Sequence, residues 1–186
     1  MTPDASKSDD DDVSPAGKVY REMVSDMLAA ERDRRTNLEG RAGILFASSG
    51  TLLALVGGLA AFVVGKDHAF ENRTAIIELC KALPWFVLSA VTALVVQTKG
   101  WPYQVVNRES LAKIAGTDDF WEVSADFAAR VDVDQQAKTI DSLRRGNNDM
   151  VMWILVSLMF QIIAIVLLSA AVGFELWARL NGVTSH

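Results

Sequence analysis

Few side chains in this sequence are placed to do chemistry, and most of them are polar groups inside apolar runs. Gln161 stands near the middle of the uncharged run Met150–Phe174, and Ser48, Ser49 and Thr51 stand in the run Ala42–Val64. In hydrocarbon an amide that faces lipid has no hydrogen-bond partner, so Gln161 is expected to point inward. Those three residues, with Ser89 and Thr92, are its candidate partners. The chemistry implied is either adhesion between helices or the lining of a pore. Gly43, Ala47, Gly50, Ala54, Gly57 and Ala61 follow one another in alternating steps of four and three. That spacing puts them on one helix face without bulk, which lets a second helix approach closely. The partner helix lies either in the same chain or in another copy.

Catalytic sets are missing from the pattern. There is one cysteine, Cys80, and there are two histidines, His68 and His186, too few for a four-ligand structural zinc site. No nucleophile stands with a base in a recognisable motif, and no phosphate-cradling glycine loop occurs. The expectation is a non-enzyme without cofactor or metal and without a nucleic-acid partner. Arg32, Arg34, Arg35 and Arg41 precede the first apolar run, and Arg144 and Arg145 precede the last. They suit topology enforcement or anionic lipid head groups. Asn72-Arg73-Thr74 has the form of a glycosylation sequon, which chance explains better.

The elements that carry these residues are read from where charge is absent. Hydrophobic residues make up 51% of the 186, and they are gathered in blocks with the charges between them. The 23 residues of Ala42–Val64 and the 25 of Met150–Phe174 are long enough to cross a hydrocarbon core of about 30 Å. Ala82–Thr98 has only 17, near the lower limit, but Trp85, Trp101 and Tyr103 bracket it as interfacial aromatics do. Pro84 then falls in a first helical turn; a helix starting near Thr74 would instead carry it inside.

The expected fold is all-α, an integral membrane protein with three transmembrane helices and a cytoplasmic helical hairpin. A disordered acidic tail over 1–16 leads to a helix over 17–41. Spans follow at 42–64, 82–98 and 150–174. They are separated by an outer loop at 65–81 and a cytoplasmic helical segment at 99–149, and an outer tail covers 175–186. No proline interrupts 18–65, so the first helix is expected to run on through the membrane, bending if anywhere at Gly40 or Gly43. Tyr20, Val24, Met27, Leu28 and Leu38 form its apolar stripe, and Glu31 is spaced to pair with Arg35. A short helix is expected around Arg108–Ala115. A further one carries Phe120, Val123, Phe127, Val133, Ala137, Ile140 and Leu143 into the last span. Segments 1–41 and 99–149 hold seven Lys or Arg each, against three in 65–81 and one in the tail. The positive-inside rule places the N-terminus in the cytoplasm of a multi-pass inner-membrane protein and the C-terminus outside.

Two stretches carry a resemblance. Residues 31–53, ERDRRTNLEGRAGILFASSGTLL, lead basic residues straight into a small-residue span. Residues 138–163, KTIDSLRRGNNDMVMWILVSLMFQII, join a helix to the last span through a charged, asparagine-containing juncture. Together they resemble small actinobacterial-type membrane proteins of unassigned function and, more loosely, transmembrane Pycsar effectors and the SLATT group of phage-defence proteins. The resemblance implies spans with cytoplasmic helices that damage or permeabilise the inner membrane when activated; with the small-residue face, the expectation is a self-associating homo-oligomer with a cytoplasmic protein or nucleotide signal as its partner. This chain shows no nucleotide-binding domain. The alternative function is that of a structural or accessory subunit of a larger membrane complex.

Overall fold

The computed structural model describes residues 12–64, 72–101, 103–105, 109, 112, 113, 116 and 123–183, with backbone alone at 59–64, 182 and 183. The described residues form three long helices: α1 (Pro15–Val64), α2 (Arg73–Thr98) and α3 (Ala125–Val183). Each is long and apolar enough to cross a membrane, so the protein is a multi-pass membrane protein. The 50 residues of α1 and the 59 of α3 are more than twice what a crossing requires. Both helices contribute to two structural units. A charged unit draws on the chain up to Thr36 and on Trp101–Asn148, and a spanning unit draws on Asn37–Gly100 and the chain from Asp149.

Where each helix starts follows from local chemistry. α1 opens with Pro15 at its first position, where the missing N–H is no loss. Ser14 caps the turn, its Oγ accepting from Gly17 N at 3.1 Å. The helix then runs unbroken through Gly40 and Gly43. α2 starts nine residues before the apolar run that was expected to define it, because Asn72 is a good N-cap: its Oδ1 accepts from Thr74 N at 2.9 Å. Pro84 consequently lies inside the helix, where it withholds the N–H that the Cys80 carbonyl would accept. The expected helix around Arg108–Ala115 and the position of Phe120 fall almost wholly outside the described residues, as do the acidic tail to residue 11 and the loop 65–71.

Packing in the spanning unit follows one rule. On α2, Ala75, Leu79, Ala82, Phe86, Ser89, Ala93 and Val96 are all buried, in alternating steps of four and three. On α1 the same rhythm runs through Leu38, Ala42, Leu45, Ser49, Leu52 and Val56. On α3 it runs through Met150, Ile154, Ser157, Gln161, Ala164, Leu168, Ala171 and Glu175; every one of these is buried or half-buried. A 3.5-residue period keeps one seam facing its neighbours and belongs to left-handed packing of helices. Small residues stand among large ones in these seams, and Val56, Leu79, Ala82, Phe86, Ala164 and Ala171 form one buried cluster. Trp85 adds a tilted contact with Phe160 at 5.6 Å between ring centroids.

The charged unit is a parallel pairing of α1 with α3. Val24 is buried on α1, and Ile140 and Leu143 are buried on α3. Of the stripes expected from sequence, Leu38 is buried, Leu28 and Val133 are half-buried, and Tyr20, Met27, Val123, Phe127 and Ala137 are exposed.

Candidate functional site

At the centre of the spanning unit three serines, one from each helix, meet with no exposed surface: Ser49, Ser89 and Ser157. Ser157 Oγ donates to the Ser89 carbonyl at 2.8 Å, and Ser89 Oγ donates to the Ser157 carbonyl at 2.9 Å. The Ser49 and Ser89 hydroxyls stand 3.1 Å apart, and those of Ser89 and Ser157 3.2 Å. Only a side chain as short as serine lets three helices approach closely enough for this. Ser157 escapes sequence reading because one serine in a run of Met, Leu and Ile carries no spacing signal.

Gln161 lies one turn further along α3 and is 8% exposed. Its Nε2 donates to Ser48 Oγ at 2.9 Å, so the inward orientation and one of the expected partners are both present. Its Oε1 is buried and receives no hydrogen bond among the described residues. Thr51 turns back on its own helix, donating to the Ala47 carbonyl at 3.0 Å.

The small-residue face of α1 divides. A Cβ at Gly43 would stand 2.8 Å from Gln97 Nε2, so Gly43 adjoins α2. Gly50 and Gly57 have no neighbour within 4 Å of such a Cβ, and Ala47 and Ala54 are exposed. The side chain of Ala61 is outside those described. The seam that packs within the chain runs on another face, through Ala42, Ser49 and Val56. From Ala47 to Gly57 the face is therefore not covered by any described residue of its own chain.

The arginines also divide. Glu31 pairs with Arg144 and not with Arg35: Arg144 Nε reaches Glu31 Oε1 at 2.8 Å, and Asn147 Nδ2 donates to Glu31 Oε2 at 3.1 Å. Arg34 stands 3.7 Å from the same carboxylate and donates to Asn148 Oδ1 at 3.1 Å. Arg35 lies over the Tyr103 ring, 5.4 Å from its centroid, and Arg145 pairs with Asp141. Arg32 and Arg41 are exposed and make no such contact among the described residues, which leaves these two for solvent or lipid head groups. Burial alone would push the Glu31 carboxyl up. The hydrogen bonds from Arg144 and Asn147, with the charges of Arg144 and Arg34, outweigh it and hold the group below the ordinary glutamate range.

In the spanning unit, Asn72 is engaged on its side chain and its backbone. Its Nδ2 donates to the Phe174 carbonyl at 3.2 Å, and its backbone N–H donates to Glu175 Oε2 at 3.0 Å. Arg179 Nε holds the other Glu175 oxygen at 2.9 Å. The sequon-like asparagine is thus a cap that ties α2 to α3.

Among the described residues no three His, Cys, Asp or Glu side chains gather to hold a metal ion. A groove of about 520 Å³ between the first turns of α1 and α3 is lined by Tyr20, Asp126, Phe127 and Arg130 among others. Asp126 is already committed there, accepting from Ser14 N at 2.8 Å. Comparison with known proteins finds no matching family model, no curated relative and no similar solved structure.

Two outcomes follow. Gln161→Leu should change thermal stability in detergent by no more than about 1 kcal/mol. The lost amide bond, worth about 0.6–1.7 kcal/mol in a membrane, is offset by removing an acceptor that had no donor. For Glu31 the folded-state pKa is lowered, so its contribution is complete above the unfolded value and is lost as pH falls through the folded one. The stability difference between wild type and Glu31→Gln should be about 1–3 kcal/mol at pH 7 and should shrink steadily below about pH 4.3. A difference that stays constant with pH would show that the charge of Glu31 is irrelevant.

Proposed function

We propose that this chain is a non-enzymatic module of the bacterial inner membrane that self-associates through α1 and, once assembled, permeabilises the bilayer as an effector. The observation that carries the reading is the bare face Ala47–Gly50–Ala54–Gly57 on a spanning helix. Such a face makes poor contact with bulky lipid chains and good contact with another helix backbone, so association is favoured. The buried, mutually bonded serines fill the middle of the three helices, so passage runs between copies and not through one. The resemblance of residues 31–53 and 138–163 to membrane effectors of phage defence adds to this reading. Activation enters through the charged unit, from a protein or nucleotide-signal partner. The N-terminus is cytoplasmic and the C-terminus outside, as the distribution of Lys and Arg favours.

Inducible expression should depolarise cells and arrest growth. Gly50→Leu should abolish both while the protein still inserts, because a Cβ at 50 would meet nothing within 4 Å among the described residues. If expression leaves the membrane potential unchanged, the effector reading fails and docking to another membrane protein takes its place. Cys80, the one thiol, is exposed, and a membrane-impermeant maleimide should label it in intact cells. Labelling only after lysis would reverse the topology.

A further inference from the structure

We propose that the outer side of α1 in the charged unit is a docking surface for a basic amphipathic helix of a cytoplasmic partner. This rests on the reading that a signal enters through the charged unit, and it commits that signal to a protein of stated chemistry. Val19, Tyr20, Met23 and Met27 are 62%, 58%, 45% and 44% exposed. They belong to the part of α1 that lies in the charged unit. Apolar side chains standing together among charges, where the solvent is water, gain from being covered. At about 100° per residue the four occupy about 100° of the helix surface. The buried Val24 lies outside that arc, on the side that α1 turns inward.

The chemistry of the cover follows from charge. Of the four acids that α1 brings to this unit, Glu31 alone is paired, with Arg144 at 2.8 Å. Glu22, Asp26 and Asp33 are exposed and make no ion pair among the described residues. On the helix surface these three fall within about 40°, directly beside Val19. Arg34, on the far side of the apolar arc, is already engaged by Glu31 and Asn148. The surface is therefore an apolar stripe with a border of uncompensated carboxylates. Its complement is a helix with apolar anchors three and four residues apart and Lys or Arg beside them. Two methionines in the stripe let it repack around anchors of different shape.

Charge also decides against the other covers. Anionic lipid head groups are repelled by the same three carboxylates. In a parallel pair of copies packed on Tyr20, Met23 and Met27, Asp26 would face Glu31 of the other copy, like charges where stable pairs carry opposite ones.

Fluorescence anisotropy on the full chain, held in nanodiscs of neutral phosphatidylcholine, tests the surface. The probe is a labelled synthetic helix of about 18 residues, leucine on one face and lysine on the other. It should bind, and binding should weaken several-fold between about 50 and about 300 mM salt. Met23→Ser with Met27→Ser should weaken it about tenfold at unchanged thermal stability, since both side chains are exposed. Asp26→Lys with Asp33→Lys should lose this probe and gain its glutamate counterpart. Equal binding to empty nanodiscs, or binding that none of these variants changes, would overturn the proposal. So would efficient dimerisation of Met23→Cys in a Cys80→Ser background, which would put a second copy on the stripe. In cells the charge-reversed variant should insert and yet no longer depolarise the membrane. If it loses the probe but still depolarises, the docking surface stands and entry of the signal through the charged unit is refuted.

Discussion

A hydroxyl or amide in hydrocarbon has no water to fall back on, so the polar groups of the spanning unit have to find partners among themselves. Ser49, Ser89 and Ser157 meet that demand at a single depth. Two of the bonds run from one serine's hydroxyl to another's backbone carbonyl. Such bonds form only if the helices approach closely, and close approach requires that the seams around them be small. Ala82, Ala93, Ala164 and Ala171 supply that, with Phe86 filling the space the alanines leave. The register of the unit follows, because sliding one helix by a residue would separate the serines and turn the seam away from its neighbours.

Where water is available the same two helices are held differently. Between Glu31, Arg144, Asn147 and Arg34 the contact is a charge network around one carboxylate, whose side chain is 12% exposed. Removing either partner of such a pair leaves a charge without compensation, so these contacts specify the pairing even where they add little net stability. Surface pairs such as Lys138 with Asp134 contribute far less, since both groups are more than half exposed.

Much of the fold was legible in the sequence because lipid is a demanding solvent. The lengths of Ala42–Val64 and Met150–Phe174 revealed two spans, and the isolation of Gln161 indicated its inward orientation. The seams were not legible. A spanning helix is apolar on every side, so hydropathy does not distinguish Ser157 and Ala164, which face in, from Leu155 and Ile162, which face out. Of the two starts the sequence allows for α2, the one near Thr74 is found and not the first residue of the apolar run, because charge-free length locates the apolar run whereas Asn72 sets where helical hydrogen bonding begins. The partner of Glu31 was misjudged for a related reason. Spacing along one helix points to Arg35, but Arg144, more than a hundred residues away, is brought beside it by the pairing of α1 with α3.

The clamp of Asn72 on Phe174 and Glu175 joins residues 102 and 103 positions apart in the chain. A ribosome adding about 5–20 residues per second needs on the order of 5–20 s to make that interval. During those seconds the first turn of α2 has its own asparagine cap and nothing from α3, and Ser89 has Ser49 but not Ser157. Insertion of the first two helices therefore yields an incomplete bundle, and arrival of the last helix is the event that locks it. A chain truncated before residue 150 would carry two inserted helices and an unfilled seam.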